Sequence, residues 1–194
     1  MRRPSANLPT KLTVLAEERR PVRWVFLLAV LLSACSATGG APSKGSRAGI
    51  ATVVHPVDGD TIVVDLDGRE ESVRLIGIDT PESVARDRPV ECFGPEAKAR
   101  TAELLSAGTV VRLERDVEAR DRYGRLLAYV LRDGVLVNLL LVEEGFAESF
   151  AYPPNLAHQT ELAQAEATAR AAERGLWPAC GGTDVPIGPV ASPP

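Results

Sequence analysis

Three short segments of the chain carry charged side chains at the end of, or inside, apolar strand-like runs. They are DGDT at 58–61, RLIGIDTPE at 74–82 and DRYGR at 121–125. Carboxylate and carbonyl oxygens suit calcium, while the planar guanidinium group of arginine suits a phosphate. Three carboxylates and two arginines in these segments therefore predict metal-assisted hydrolysis of a phosphodiester. The residues are Asp60, Asp79, Glu82, Arg74 and Arg125.

Several of the charged residues also have a simpler local interpretation. Asp58 and Asp60 flank a glycine, and Asp-Gly favours a tight turn, so both could be turn residues. For Asp58 we prefer this interpretation, with a secondary role near calcium as the alternative. Arg74 could point from a half-buried strand into solvent, and Arg125 could be an ordinary hairpin charge. The functional interpretation depends on the joint occurrence of the acidic and basic residues rather than on any one of them.

The elements that must position these residues form a small β-rich domain. Two β-branched runs at 50–54 and 61–66, followed by a strand at 72–78, predict an antiparallel meander with turns at 58–59 and 67–68. Further strands are predicted at 110–113 and 125–131, and helices at 95–105, at 135–144 and from a cap at Asn155 to Gly175. This order indicates a mainly β, α+β domain: a five-stranded OB-fold barrel with three packed helices, a fold that presents oligonucleotides on one strand face.

The N-terminal region has the pattern of an export signal. A basic flank at 19–23 precedes an apolar run at 24–32 that is too short to span a bilayer. The run ends in LSAC, which resembles a bacterial lipoprotein processing box and predicts a lipidated Cys35; an ordinary signal peptide with a chance cysteine is the alternative. We therefore expect a signal peptide at 1–35, a flexible tether at 36–49, a folded domain at 50–180 and a disordered tail at 181–194. The expected location is extracytoplasmic, with a lipid anchor in a bacterial cell membrane.

The two remaining cysteines fit an oxidising compartment. If Cys35 takes lipid, Cys92 and Cys180 are left as a pair where disulfides persist, and we favour a bridge between them over two independent buried thiols. The spacing of cysteines and histidines does not suggest zinc.

The charge balance sets limits on nucleic-acid binding. After Cys35 the chain has sixteen Lys and Arg residues and twenty-four Asp and Glu residues, a net formal charge of −8. Nonspecific binding of nucleic acid normally depends on a basic surface that releases counterions. We therefore expect weak binding of polymer away from the catalytic residues, and no long-lived wrapping of DNA.

Five motifs in order resemble the staphylococcal-type thermonuclease (micrococcal nuclease-like) family. They are VDGDT, RLIGIDTPE, FGPEA, DRYGRLLAYV and LVEEGFA, and the resemblance covers roughly Ile50 to Trp177. It implies an OB-fold and a calcium-dependent nuclease that acts on DNA and RNA. Its products would carry 3′-phosphate and 5′-hydroxyl ends.

The resemblance also implies roles for individual residues. Calcium would be bound by the carboxylates of Asp60 and Asp79 and by the backbone carbonyl of Thr80. Glu82 matches the general base that acts on the attacking water. Arg74 and Arg125 match the two arginines that grip the phosphate.

Three further positions are implied to contact the substrate. Arg122 occupies a position that is usually basic, and Tyr123 that of a tyrosine near the terminal phosphate. Tyr152 matches one of two tyrosines that line the nucleotide pocket, although packing is an equally good explanation of this residue. Phe150 replaces the other tyrosine, which keeps stacking but loses a hydroxyl hydrogen bond.

The sequence thus predicts a lipid-anchored, calcium-dependent nuclease of DNA and RNA, with single strands favoured. The partners expected are nucleic acid and the membrane; no protein partner is implied, and the chain is expected to be monomeric. One rival is a noncatalytic OB-fold binding lipoprotein. Another is a structural envelope lipoprotein, for which the acidic surface is the support.

Overall fold

The computed structural model describes residues 49–84 and 89–187. Within these ranges, no helix has both the length and the apolar character that a membrane crossing requires. The predicted signal peptide, its Cys35 and the tether up to residue 48 lie outside the described residues, so these remain predictions.

Eight strands occur in the described residues, in two sheets. They are β1 (Gly49–Pro56), β2 (Thr61–Leu66), β3 (Arg69–Leu75), β4 (Ile78–Asp79), β5 (Val110–Glu114), β6 (Leu126–Arg132), β7 (Val135–Leu136) and β8 (Glu148–Ser149). The larger sheet has the order β3-β2-β1-β5-β6-β7, and β4 pairs with β8. Asp67 and Gly68 both have positive φ in the β2–β3 turn, as an Asp-Gly hairpin requires.

A parallel pairing between β3 and β6 closes five of these strands into a barrel. Val73 lies opposite Leu126, and Arg74 lies opposite Leu127. The predicted OB-fold barrel is therefore confirmed. Closure also brings the start of the second charged segment beside the third, because Arg74 lies opposite Leu127 and Arg125 directly precedes β6.

The barrel interior is filled by aliphatic side chains that alternate along the strands. Val53, Ile62, Val73, Leu75 and Leu127 are all at most 1 % exposed. This alternation leaves the intervening side chains of β2 and β3 free to face outward, and Arg74 is one of them.

The described residues contain four helices, one more than predicted. They are α1 (Gly94–Leu104), α2 (Val137–Glu143), α3 (Gln159–Ala171) and α4 (Leu176–Cys180). Residues 135–136, predicted as the start of a helix, form β7 instead. Asn155 is not the cap of α3, which begins after His158; its side-chain oxygen accepts the Glu118 N–H at 2.8 Å, so a tertiary contact uses the group that a cap would need.

The predicted disulfide is confirmed, and the predicted tail is partly wrong. Cys92 and Cys180 are bonded, with their Cα atoms 5.9 Å apart. The tail was expected to be disordered from Gly181, yet Val185 O accepts the Cys92 N–H at 2.6 Å and Ile187 N–H donates to Val90 O at 3.0 Å. The disulfide brings the segment after Cys180 to the backbone of Val90 and Cys92. The Gly- and Pro-rich composition of the segment did not reveal this pairing. Residues 188–194 lie outside the described ranges.

Candidate active site

All three charged segments contribute to one open cavity of about 600 Å³. It lies where β2 begins, where β3 leads into β4, and before β6. The residues that line it are Val57, Asp58, Asp60, Thr61, Arg74, Asp79, Thr80, Glu82, Val84, Glu91, Tyr123, Arg125 and Asp184. Seven residues given roles in metal binding, catalysis or substrate contact are thus brought together, namely Asp60, Arg74, Asp79, Thr80, Glu82, Tyr123 and Arg125.

The guanidinium group of Arg74 joins the two predicted metal carboxylates. Its Nη1 pairs with Asp60 Oδ2, and its Nη2 donates to Asp79 Oδ1 at 2.9 Å. Arg74 sits on β3 opposite Thr61 on β2, and Leu75 N–H donates to Asp60 O at 2.8 Å. The ladder between two strands therefore fixes the relative positions of Asp60 and Arg74. The alternative in which Arg74 points alone into solvent is wrong, since its side chain is 16 % exposed.

Thr80 connects the two acidic segments. Its backbone N–H and its hydroxyl both donate to Asp60 Oδ2, at 3.3 and 3.2 Å. Gly59 is needed at this contact, because a Cβ there would lie 2.6 Å from Thr80 Oγ1. The Asp-Gly turn thus allows Thr80 to pack closely behind Asp60. The predicted role of the Thr80 carbonyl as a metal ligand is not tested by these contacts.

Glu82 reaches the cavity from the segment after β4. Its Oε1 accepts the Val84 N–H at 3.0 Å, and its own backbone N–H donates to Glu91 Oε2 at 2.7 Å. Sequence reasoning missed both Glu91 and Asp184, which also line the cavity. Neither lies near a charged motif, and the one available signal was the predicted disulfide, which brings Cys180 and the residues after it to the neighbourhood of Cys92.

Arg125 is held by the turn that precedes β6. Its Nε donates to Asp121 Oδ2 at 2.7 Å, and Asp121 Oδ1 accepts the backbone N–H groups of Tyr123 and Arg125 at 2.9 and 3.0 Å. The Arg125 Nη1 lies 3.5 Å from Thr61 Oγ1, next to Asp60. The side chain of Asp121 is 3 % exposed, and both of its carboxylate oxygens bind groups of the turn itself.

Two predicted substrate residues lie outside the cavity lining. Arg122 is exposed and donates to the Tyr123 hydroxyl at 2.6 Å, beside the opening. Tyr152 packs against the barrel core, and its backbone bridges to Asn155. Tyr123 itself is 69 % exposed, with the Arg122 and Arg125 guanidinium groups 4.7 and 5.6 Å from its ring centroid.

Acidic groups outnumber basic groups in the cavity lining by six to two. Burial raises the pKa of Asp79 to about 6; Asp60, Asp184 and Glu91 add to the rise, while Arg74 opposes it. Burial also raises the pKa of Asp58 to about 6, with further contributions from Asp60 and Glu82. The two arginines therefore do not fully compensate the negative charge of the cavity.

The residues present suit a hard cation, although no cage for one is preformed. Among the described residues, no three His, Cys, Asp or Glu side chains are arranged so that they could hold a metal. The donor set consists of carboxylate oxygens and a nearby backbone carbonyl, which is the chemistry that calcium prefers. Arg74 occupies the place between Asp60 and Asp79, so a cation there would compete with its guanidinium group.

Comparisons with known proteins agree with this geometry. A family model described as staphylococcal nuclease homologue matches residues 72–179. The thermonucleases of Staphylococcus hyicus and Staphylococcus intermedius are each 42% identical over 125 residues, which is 64% of this chain and 73% and 74% of theirs. The endonuclease YncB of Bacillus subtilis is 37% identical over 128 residues, 65% of this chain and 60% of its own. This chain therefore belongs to the staphylococcal nuclease family.

Proposed function

We propose that this protein is a calcium-dependent nuclease that hydrolyses phosphodiester bonds of DNA and RNA to give 3′-phosphate and 5′-hydroxyl ends. The observation that carries the proposal is the single cavity in which Asp60, Arg74, Asp79, Glu82 and Arg125 meet. The names of the relatives, thermonuclease and endonuclease, support the same class of reaction. The finer points, calcium and the product ends, rest on the resemblance of the motifs.

Asp60, Asp79 and the Thr80 carbonyl would hold the cation. A bound calcium ion would supply a Lewis acid that polarises a phosphoryl oxygen. The carboxylates must be ionised for this task, and the raised pKa values of Asp58 and Asp79 mean that calcium and protons compete in the cavity.

The remaining cavity residues act on the water and the phosphate. Glu82 accepts a proton as the water oxygen bonds to phosphorus and the bond from phosphorus to the 5′ oxygen breaks. The 5′ oxygen takes a proton from solvent, and Glu82 returns its proton to solvent. Arg74 pairs with Asp60, Arg125 lies beside Thr61, and both stabilise the charge that grows on the phosphoryl oxygens. Tyr123 offers an exposed ring on which a base or sugar can pack, with Arg122 beside it.

The proposed location is extracytoplasmic, with a lipid on Cys35. The lipoprotein box in the sequence supports this proposal, and the Cys92–Cys180 disulfide agrees with an oxidising compartment. Metabolic labelling with a fatty-acid analogue tests it, since wild-type protein should incorporate label and C35S should not.

Calcium-titrated digestion of single-stranded DNA with end-group analysis tests the function. We expect cleavage that rises with calcium, stops on chelation and leaves 3′-phosphate ends, and we expect D79N to need more calcium. D133N, which changes an exposed carboxylate in the turn between β6 and β7, is the matched control. A protein that binds the strand but stays inert over a wide range of calcium would instead be the noncatalytic binding module.

A further inference from the structure

Glu82 is held by a second glutamate that no charged motif contains. Glu91 Oε2 accepts the Glu82 N–H at 2.7 Å, and Glu91 N–H donates back to Glu82 O at 2.9 Å. Glu91 is 7 % exposed, so its carboxylate makes this contact away from bulk water. A reciprocal pair of hydrogen bonds of this kind fixes the backbone on which the Glu82 side chain is mounted.

The first turn of α1 packs closely against the backbone carbonyl of Glu82. A Cβ at Gly94 would lie 2.3 Å from Glu82 O, so only glycine permits this approach. Phe93, directly before it, has a φ of 69°, which turns the chain sharply between Glu91 and the helix. The backbone of Glu82 is thus enclosed by Glu91 on one side and by the start of α1 on the other.

Glu91 is in turn held by the segment that follows α4. Cys92, which directly follows Glu91, is joined by the disulfide to Cys180 at the end of α4, and the Cys92 N–H donates to Val185 O at 2.6 Å. Glu91 bridges to Pro186 in antiparallel register, and Ile187 N–H donates to Val90 O at 3.0 Å. The disulfide therefore ties two parts of the chain that are 88 residues apart in sequence together beside Glu91.

We propose that Glu91 is a positioning residue for Glu82, and that the Cys92–Cys180 disulfide keeps Glu91 in place. The inference rests on the proposed function, because it concerns the residue to which we assign the proton transfer. Glu91 acts as a hydrogen-bond acceptor for a backbone amide, so an amide oxygen can replace its carboxylate. Its negative charge is not the property that matters.

The test compares E91A with E91Q in the full chain, with E96A as control. Glu96 is an exposed glutamate in the first turn of α1 that does not line the cavity. Digestion of single-stranded DNA at saturating calcium gives kcat and KM, and hydrogen–deuterium exchange with mass spectrometry follows the Glu82 amide. We expect E91A to lower kcat by about 100-fold with KM little changed, since a small displacement of a catalytic group has effects of this size.

The exchange measurement separates positioning from a general loss of stability. The Glu82 amide should exchange at least about tenfold faster in E91A, because its hydrogen-bond acceptor is gone, while amides in β1 and β2 keep their protection. E91Q should restore most of kcat and the slow exchange, and E96A should match wild type in both.

A reduced protein tests the part played by the disulfide. Reduction of wild type, or the double variant C92S/C180S, should lower kcat and speed exchange at Glu82 in the same sense as E91A. In E91A, reduction should lower kcat and speed exchange at Glu82 by little more, because two changes that act through one contact are not additive.

Two results would overturn the proposal. One is wild-type kcat and slow Glu82 exchange in E91A. The other is an E91Q variant as impaired as E91A while exchange stays slow, which would mean that Glu91 acts through its charge. An inert wild-type protein would overturn the proposed function instead, and the exchange data would still decide whether Glu91 holds Glu82.

Discussion

Two halves of the cavity hold their arginines in different ways. In the strand half, formed by Asp60, Arg74 and Asp79, the guanidinium group pairs with the carboxylates that are predicted to bind calcium. In the loop half, Tyr123 and Arg125 line the cavity, and the guanidinium group is held by Asp121, whose carboxylate does not line it. If the proposed roles hold, metal binding and phosphate binding would therefore be coupled in the strand half and separate in the loop half.

The largest expected effect is common to both halves. R74Q and R125Q should each lower kcat by about 10²- to 10³-fold, because each removes a donor aimed at the developing phosphoryl charge. R112Q is the control, since Arg112 lies on β5 and pairs with Glu114 outside the cavity. Steady-state digestion of single-stranded DNA measures kcat for all three variants. If kcat falls by less than about tenfold in R74Q or R125Q, that arginine does not stabilise the phosphoryl charge.

The pH dependence of stability should differ in sign between the halves. Asp58 lines the cavity beside the strand half, and Asp60 acts on its pKa. Its pKa of about 6 exceeds the ordinary 3.8, so ionisation costs the folded state stability; the cost is full above pH 6 and fades as the pH falls toward 4. In chelator, D58N should therefore be about 1–2 kcal/mol more stable than wild type at pH 8, with no gain near pH 4. Urea unfolding at both pH values measures this.

Asp121 in the loop half should behave in the opposite way. Burial raises the pKa of Asp121. Hydrogen bonds from the Arg125 side chain and from the Arg125 and Tyr123 backbones lower the pKa by more than burial raises it, so the net shift is downward. Its stabilisation is present above 3.8 and is lost as the pH falls through the folded-state value. D121N should thus be less stable than wild type at pH 8 and should approach it at low pH. A gain in stability for D121N at pH 8 would contradict the contrast between the halves.

A third prediction separates Tyr123 from Tyr152. Y123A should raise KM for single-stranded DNA by about tenfold, because one exposed stacking surface beside the cavity is lost. Y152A should instead lower the melting temperature, since this ring packs against the core. If Y152A raises KM and leaves the melting temperature unchanged, Tyr152 belongs to the substrate pocket.

The smallest expected effect reports the coupling itself. R74Q should bind calcium roughly fivefold more tightly than wild type, about 1 kcal/mol, because Asp60 and Asp79 lose a competing cation. R125Q should bind calcium as wild type does. Calorimetric titration without substrate measures both, even if the variants are inactive. Equal shifts in the two variants would mean that the halves are not separate.

The strand half could be predicted from the sequence, whereas the surroundings of Glu82 could not. Asp60 directly precedes β2 and Arg74 lies on β3; the Asp-Gly turn between these strands fixes their register, so the meeting of the two residues follows from local signals. Glu91 and Asp184 reach the cavity through the disulfide and through contacts between distant backbones, which no local pattern encodes. Asn155 illustrates the same limit, because its side chain serves a tertiary contact instead of a helix cap.

A crystal structure with calcium and a thymidine oligonucleotide carrying a phosphorothioate tests the account most directly. The account predicts one calcium ion between Asp60 and Asp79, with the Arg74 guanidinium group displaced toward a phosphate that Arg125 also contacts. An ion bound elsewhere, or a strand whose phosphates avoid both arginines, would contradict it.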